Sequence, residues 1–400
     1  MRRSRYCPIS SSTAVAGRSG LAIRARRPTD GSNSDSEGIL GIHKIALGVL
    51  KGANAGKDGL RDPSAATGPR NYVFEDAFSP MLDESILGSL DTSSSVPPWW
   101  RLAREIQRRH DEYDAVVTWG ERLSLAMLMQ QQFASVRKPH IAMMYQFEKP
   151  NIRLPLNAFK KNLHAVVTWS TVQRRALIER LRFPAERVYL IRHYVDQVFY
   201  SPRQIEEDMI CAVGAEMRDY ATLKEAVSGT GLRCHIAADR VRIPGRFRLL
   251  KDRRVAVGDI GARSDANITE GRMSLTELRN LYARSRLVVV PLLPSETDNG
   301  VTVILEAMAM GKPVICSRTR GQVDVIQEGV TGLYVPVGDA DALRSAIMSL
   351  WNEPSRAQQM GRNARAHVEK NHTLEKFTAT TRSAADASLD GRPALETWWE

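Results

Sequence analysis

Residues 287–325 constrain the fold most, because their pattern changes from strand to loop to helix and back to strand. Residues 287–291 form a continuous apolar run rich in β-branched side chains, which predicts a strand buried on both faces of a parallel sheet. A polar loop follows at 294–300, and the small and unbranched side chains of 301–310 favour a helix. Residues 314–316 are apolar again. The stretch therefore predicts a βαβ unit of an α/β fold.

The loop and the start of this helix combine an anion site with carboxylates. In parallel α/β sheets, ligands bind beyond the carboxyl ends of the strands, where free N–H groups at a helix N-terminus favour an anion. Here that place is residues 298–302, with Glu296, Asp298 and Glu306 within or beside it. An ionised carboxylate accepts hydrogen bonds from hydroxyl groups, so phosphate together with sugar hydroxyls accounts for both features. The segment predicts a site for a nucleotide sugar or a sugar phosphate.

The same residues resemble a known family. Asp298 and Glu306 bracket seven residues, and EAMAMGKPVI followed by GVTGLYVPVGD is similar to the acid-x7-Glu signature of the GT-B retaining glycosyltransferases of family 4, or group 1. The resemblance implies that Glu306 binds ribose hydroxyls and that Asp298 contacts the donor sugar. The helix N-terminus that would receive the diphosphate comprises Gly300, Val301 and Thr302. The family usually has Glu as the first acid, in a Glu-Gly-Phe-Gly context that this chain lacks, so Glu296 is a second candidate for the sugar contact.

Further donor-binding candidates follow the strand predicted at residues 209–213. In the family this turn commonly carries an Arg and a Lys that neutralise the donor diphosphate, but at those positions this chain has alanine and tyrosine. Arg218 and Lys224 are nearby cations that could take the role, and Gly214 opens the turn. Surface salt bridging is the alternative role for both cations.

The first half of the chain shows the α/β rhythm as well. Short apolar runs predict strands at residues 114–118, 139–145, 164–168 and 188–191, with helical patterns between them. Gly120 and Glu121 follow the first of these runs, so we expect them on the acceptor side of the cleft. The alternative role for Glu121 is to cap the next helix.

The expected architecture is α/β, with two Rossmann-like domains facing across a cleft in the GT-B arrangement. Length also favours two domains, because 400 residues exceed the size at which one core keeps growing. The predicted divisions are a disordered basic tail over 1–37, an acceptor-side domain over 38–202, a nucleotide-sugar-binding domain over 203–370, and a crossover helix and tail over 371–400. Residues 366–377 are the candidate crossover helix. The pattern of 38–60 fits helix and strand equally.

Charge and apolar content exclude other classes of protein. The net charge is +11, part of it on the arginines of residues 1–37, and the rest of the chain lacks the basic and aromatic clusters of nucleic-acid-binding modules. Attraction to anionic lipid head groups, and so peripheral membrane attachment, stays open. No apolar run approaches the roughly 18 to 20 residues of a membrane span, and the N-terminus lacks the apolar segment of a secretory signal. We therefore expect a cytoplasmic protein.

The cysteines do not predict a metal site. Cys7, Cys211, Cys234 and Cys316 show no paired ligand spacing, and two of them lie in strand-like runs. This usage is typical of buried thiols in a reducing compartment.

The implied reaction is transfer of a sugar from a nucleotide diphosphate sugar to a hydroxyl acceptor, which could be a glycan, a lipid or a small molecule, with retention at the anomeric carbon. Asp298 and Arg218 are the expected catalytic residues, and no cofactor or metal is expected besides the donor. One alternative is a non-catalytic GT-B-like protein that binds a nucleotide sugar or a polysaccharide, motivated by scattered glycines where the family has a Gly-rich loop and by the altered Arg/Lys pair. An epimerase of the same fold is a further alternative, although we identify no acid/base pair for it.

Overall fold

The computed structural model describes residues 43–49, 77–82, 96–205, 208–238, 240–243, 253–256 and 267–394. All of them belong to one unit of the chain, which begins at His43. The tail predicted over residues 1–37 lies outside the described residues.

A six-stranded parallel sheet forms the centre of the first domain. Its strands are β1 (Ile45–Val49), β2 (Met81–Leu82), β3 (Ala115–Trp119), β4 (His140–Met143), β5 (Ala165–Thr168) and β6 (Val188–Leu190). Their order is β2-β1-β3-β4-β5-β6, and all the pairings are parallel. The helices are α1 (Pro98–Arg108), α2 (Glu121–Phe133), α3 (Pro150–Phe159) and α4 (Thr171–Glu179). Short 3₁₀ turns, His110–Glu112, Lys160–Asn162 and Ala185–Arg187, precede β3, β5 and β6. Strand β1 shows that residues 45–49 of the segment left open between helix and strand form a strand, while residues 38–42 and 50–60 lie outside the described residues.

The second domain is built around another six-stranded parallel sheet. The strands after β6 are β7 (Met209–Val213), β8 (Cys234–Ala237), β9 (Arg240–Ile243), β10 (Arg253–Ala256), β11 (Ile268–Glu270), β12 (Ser285–Val290), β13 (Val314–Ser317) and β14 (Gly332–Val335). The sheet has the order β11-β8-β7-β12-β13-β14, and β9 pairs with β10 in a separate antiparallel ribbon. The helices are α5 (Tyr220–Val227), α6 (Leu275–Arg284), α7 (Val301–Ala309), α8 (Ala340–Asn352) and α9 (Pro354–Asn371).

The βαβ unit predicted from the sequence is present as β12, α7 and β13. Helix α7 is buried along its whole length except at Thr302, because strands and α9 cover it. A helix enclosed in this way must be apolar on nearly every side, and VTVILEAMA meets that requirement with one charged residue, Glu306. Glu306 belongs to the candidate site described below.

The crossover predicted as one helix over residues 366–377 is instead two helices. Helix α9 ends at Asn371, and α10 (Leu374–Leu389) begins after Thr373, whose side chain accepts a hydrogen bond from the Lys376 amide. The interruption comes from a long-range contact: the His372 carbonyl accepts the Val195 amide at 2.9 Å, so the link pairs with the segment that joins the two domains. Helix α10 then packs its apolar face, including Phe377, into the core of the first domain.

Candidate functional site

The N-terminus of α7 lies at the carboxyl end of β12 in the second sheet. Gly300 precedes the helix in the left-handed conformation, with φ of 88°. The Val301 amide donates to the Asp298 carbonyl at 3.2 Å, so one of the two predicted phosphate-binding amides is already engaged. Within the described residues, the amides of Thr302 and Val303 have no hydrogen-bond acceptor. The open donors are therefore one residue further into the helix than the sequence predicted.

Arg218 lies between the turn after β7 and this helix N-terminus. Its side chain is only 5% exposed; Nε donates to the Val213 carbonyl at 2.8 Å and Nη1 to the Glu216 carbonyl at 2.8 Å. A Cβ placed on Gly214 would lie 2.6 Å from Nη2, and one on Gly300 would lie 3.7 Å from Nη1. The structure therefore brings Arg218, Gly214 and Gly300 together, and both glycines leave room for the guanidinium.

Glu306 lies less than two turns into α7 and is almost fully buried. Its Oε2 accepts a hydrogen bond from the Tyr282 hydroxyl at 2.7 Å. Burial raises the pKa of Glu306 to about 7, while that hydrogen bond and the charge of Arg218 act in the opposite direction. Tyr282 holds the carboxylate in place. No local pattern in the sequence indicates this contact.

Asp298 faces the first domain. Its Oδ1 accepts a hydrogen bond from Gln173 Nε2, on α4, at 2.9 Å. Burial raises the pKa of Asp298 to about 6, and the negative charge of Asp324 adds to the rise. Glu296, the competing candidate, forms an ion pair with the exposed Arg320 at 3.2 Å and lines a cavity of about 270 Å³ between the two domains.

Lys224 and Glu121 are held by partners that the sequence did not suggest. Lys224 Nζ lies 2.7 Å from Glu270 Oε1, at the end of β11. Glu121 is the first residue of α2, after Gly120 with φ of 94°, and its Oε1 accepts the amide of Tyr145 at 2.7 Å and that of Gln146 at 2.5 Å. Glu121 thus fixes the loop after β4. The roles of Lys224 with the donor and of Glu121 with the acceptor stay predictions.

A cluster of aromatic rings lies at the carboxyl ends of the first sheet, and the sequence analysis missed it. Trp119 ends β3, whereas Tyr145, Trp169 and Tyr194 follow β4, β5 and β6. Phe377 joins them from α10. Tyr145 and Trp169 stack with centroids 5.3 Å apart. Burial raises the pKa of Tyr145 to about 12, and nearby acids, among them Glu121 and Asp298, reinforce the rise. The cluster therefore borders the cleft.

Two negative findings hold for the described part of the chain. No helix there is long and apolar enough to cross a bilayer. No three His, Cys, Asp or Glu side chains in the same ranges are grouped so that they could hold a metal ion. Cys211, Cys234 and Cys316 are buried free thiols, as the sequence predicted.

Residues 264–367 match the family model described as "Glycosyl transferases group 1". The chain is 33% identical over 103 residues to a sulfoquinovosyl transferase of Arabidopsis thaliana, a match that covers 25% of this chain and 20% of the relative. It is 36% identical over 110 residues to a D-inositol 3-phosphate glycosyltransferase of Gordonia bronchialis, covering 26% and 22% of the two chains. The chain thus spans about a fifth of the length of these curated relatives. The resemblance inferred from the motif is confirmed over residues 264–367.

Solved structures extend the likeness to both domains. The crystal structure of Anabaena HepE in complex with UDP and glucose matches with a TM-score of 0.59 and 15% identity, over 87% of this chain and 100% of that one. A sucrose-phosphate synthase from Thermosynechococcus elongatus matches with a TM-score of 0.61 and 16% identity, over 86% and 99%. These likenesses show the fold, and they confirm the predicted GT-B arrangement of two Rossmann-like domains.

Proposed function

We propose that this chain is a glycosyltransferase that moves a sugar from a nucleotide diphosphate sugar to a hydroxyl group of an acceptor, with retention of configuration at the anomeric carbon. The observation that carries the proposal is the convergence of the Arg218 guanidinium, the N-terminus of α7 and the Glu306 carboxylate at one edge of the second sheet. The group 1 match, which includes Asp298 and Glu306, supports it. So do the UDP and glucose bound by HepE, which has the same fold.

The diphosphate would lie at the N-terminus of α7. Negative charge grows on it as the bond between the anomeric carbon and the diphosphate oxygen breaks, because the electron pair of that bond leaves with the oxygen. Arg218 and the open amides of Thr302 and Val303 would stabilise this charge, with the helix dipole acting in the same direction. The acceptor oxygen bonds to the same carbon, and its proton passes to the departing diphosphate oxygen. The proposal requires no cofactor besides the donor.

The two acids would bind the ribose and the sugar of the donor. Glu306, fixed by Tyr282, would accept the ribose hydroxyls, since an ionised carboxylate binds two hydroxyl groups well. Asp298 would contact the donor sugar at the cleft, opposite the acceptor side formed by the first domain. Positioning of donor and acceptor supplies much of the rate in such a transfer.

The test is a panel of nucleoside diphosphate sugars, with binding measured by calorimetry and turnover measured as release of nucleoside diphosphate. We expect one or more donors to bind, with release that depends on an added hydroxyl acceptor. Glu306→Ala should weaken donor binding about ten- to hundredfold, because a charge-assisted hydrogen bond is worth roughly 1.5 to 3 kcal/mol. Glu353→Ala, at an exposed carboxylate on another surface, is the matched control. Binding without release by any donor would instead support the non-catalytic binding protein.

We further propose that the protein attaches peripherally to anionic membranes through its first domain. Phe133 at the end of α2 is 85% exposed and Leu154 on α3 is 66% exposed, which is unusual for large apolar side chains. Exposed basic side chains occur near them in the sequence, at Arg137, Arg153 and Lys161. Co-sedimentation should show binding to vesicles that contain anionic lipid and none to neutral vesicles, and Phe133→Ser with Leu154→Ser should remove it. Equal binding of the double variant would contradict the proposal.

A further inference from the structure

A buried glutamine of the first domain hydrogen-bonds the candidate sugar-binding acid. Gln173 lies on α4 and is only 3% exposed, and its Nε2 donates to Asp298 Oδ1 at 2.9 Å. At the other end of the same amide, Oε1 accepts a hydrogen bond from the hydroxyl of Thr168, the last residue of β5. Thr168 is fully buried. The first sheet is thus linked through the Gln173 side chain to the carboxylate of the second domain, and the side chain of Trp169, directly after β5, also hydrogen-bonds this carboxylate.

The chemistry of the two neighbours fixes the orientation of this amide. The reversed orientation would set the amide oxygen against the Asp298 carboxylate, so two acceptors would face each other without a proton between them. The Thr168 hydroxyl favours the observed orientation because it donates to the amide oxygen. Gln173 therefore presents its NH₂ group to Asp298, and Thr168 holds it there.

The backbone and the side chain of Asp298 are held by different domains. Gln322 of the second domain donates from Nε2 to the carbonyls of Asp298 at 3.2 Å and Asn299 at 3.1 Å, which fixes the loop. These two hydrogen bonds to the backbone do not restrain the side-chain torsions of Asp298. The hydrogen bond from Gln173 restrains them, and it exists only while α4 lies against the loop.

We infer that Gln173 is a positioning residue through which the first domain orients the Asp298 carboxylate for the donor sugar, so that the carboxylate is set only when the two domains are closed. The inference rests on the proposed function, because it takes Asp298 as the sugar contact. A misplaced contact near the reacting carbon costs rate rather than nucleotide binding, since the nucleotide is held by Arg218, α7 and Glu306.

A second contact between the domains provides a control. The Thr171 amide donates to Asp324 Oδ2 at 2.8 Å, and its hydroxyl donates to Asp324 Oδ1 at 2.7 Å, one helical turn or less from Gln173. Thr171→Val removes the hydroxyl bond between the domains but leaves the amide of Gln173 in place. A loss of rate caused by weaker domain contact in general would therefore be seen in Thr171→Val too.

The kinetic test uses the best donor of the panel, or UDP-glucose where several are equal, and compares Gln173→Ala, Thr168→Val, Thr168→Ser and Thr171→Val. We expect kcat to fall on the order of tenfold to a hundredfold in Gln173→Ala, with KM for the donor within about threefold of wild type. The kcat of Thr168→Val should also fall, because the Gln173 amide loses the hydroxyl donor that orients it. Thr168→Ser restores that donor and should recover the rate. Thr171→Val should keep the wild-type kcat.

A test that needs no donor separates this inference from the proposed function. Thermal unfolding of Gln173→Ala, Asp298→Ala and the double variant forms a double-mutant cycle, and the contact predicts non-additive shifts in the midpoint. Additive shifts, an unchanged kcat in Gln173→Ala, or an equal loss in Thr171→Val would each overturn the positioning role. Non-additive shifts in a protein that turns over no donor would overturn both the proposed function and the role in orienting a sugar contact. Non-additive shifts with the expected kinetics would support both.

Discussion

At the scale of the residue, the two acids of the site share one physical property. Both lie in surroundings poor in water, and burial raises the pKa of Asp298 to about 6 and that of Glu306 to about 7. A group with a raised pKa is held in a place that disfavours its charge, which costs stability and is typical of functional sites. Removing the ionisable group should therefore raise the stability of the protein.

Replacing Glu306 with glutamine should stabilise the protein at high pH. The pKa of Glu306 is about 7 when folded, against 4.5 as the reference value, so the folded chain binds the proton more tightly. The stability that this proton gives is complete below about pH 4.5 and is lost as the pH rises through 7, a change of roughly 3 kcal/mol. Glutamine is neutral throughout and can still accept from Tyr282. Urea unfolding at pH 5 and pH 8 should show the advantage of Glu306→Gln growing with pH.

Glu353→Gln, at an exposed position, should show no such growth. An advantage of Glu306→Gln that is equal at both pH values would mean that the buried carboxylate is not ionising in this range. The same variant should bind nucleotide less tightly than wild type at pH 8, since the proposed ribose acceptor has lost its charge.

Arg218→Lys should retain nucleotide binding but lose rate. Lysine keeps the positive charge but cannot reproduce the rigid fork that reaches two carbonyls and the helix N-terminus at once. We expect UDP affinity within a few-fold of wild type and a fall in kcat on the order of tenfold or more, because the charge that matters develops on the leaving group. Steady-state kinetics and calorimetry measure the two effects. Arg320→Lys, at a side chain that is 82% exposed, is the matched control.

Lys224→Ala, assayed alongside, separates the two cations. Wild-type rates in Arg218→Lys and Arg218→Ala with a loss in Lys224→Ala would transfer the role to Lys224. Wild-type rates in all three variants would leave the diphosphate without a side-chain cation and favour the binding protein.

The sequence predicts those members of the candidate site that lie close together along the chain. Asp298 and Glu306 are separated by one loop and the start of one helix, so their spacing could be read directly. Gln173 reaches Asp298 from another domain, 125 positions away, and no local pattern marks that contact. The use of the Val301 amide depends on the path of the loop backbone, which the sequence does not specify.

At the scale of the element, α7 depends on the glycine before it. Gly300 has φ of 88°, and a Cβ there would lie 2.8 Å from Val290 Cγ1. Gly300→Ala should therefore destabilise the protein through both backbone strain and collision with β12, by about 2 to 4 kcal/mol in total. It should also weaken donor binding, because the first turn of α7 would shift. Chemical unfolding and calorimetry measure the two effects.

Gly338 offers a matched control for that variant. It also has a positive φ, of 75°, but a Cβ there would meet no atom within 4 Å. Gly338→Ala should cost only the backbone strain, about 1 kcal/mol, and leave donor binding unchanged. Equal losses of stability in Gly300→Ala and Gly338→Ala would show that the first turn of α7 accommodates the added methyl group.

Element prediction succeeded where a segment has one dominant pattern. The strand predicted over 188–191 is present as β6 (Val188–Leu190), because one short apolar run dominates the segment. The prediction of one helix over 366–377 was wrong, because the helix is interrupted by pairing with Val195, which is far away in sequence. The antiparallel pairing of β9 with β10 was missed for the same reason: apolar runs identify strands but not their partners.

At the scale of the whole molecule, α10 joins the end of the described chain to its beginning. Arg382 donates from Nη1 to the Ala77 carbonyl at 2.9 Å and from Nη2 to the His43 carbonyl, and it pairs with Asp386. The Ala394 amide donates to the Glu186 carbonyl at 2.8 Å. The first domain is therefore completed by residues that follow the second.

Arg382→Met should weaken the attachment of α10 to the first strand of the first domain. Methionine keeps much of the apolar stem but leaves the two carbonyls unpaired, at a cost of about 2 to 4 kcal/mol. Hydrogen exchange should become faster in β1 and stay unchanged in β13, which lies in the other sheet. Arg356→Met, which removes an exposed ion pair with Glu353, should have no effect on either strand. Unchanged protection of β1 in Arg382→Met would show that α10 is not what holds the first sheet.

The return of α10 also sets the order in which a newly made chain can mature. Domains usually fold as units in the order of their synthesis, the N-terminal one first. Here the first sheet has all its strands by residue 190, but its core lacks Leu374 and Phe377 until the second domain has emerged from the ribosome. The second domain, by contrast, is contiguous from β7 to α9. A nascent chain therefore completes its second domain first, and the first domain is finished last.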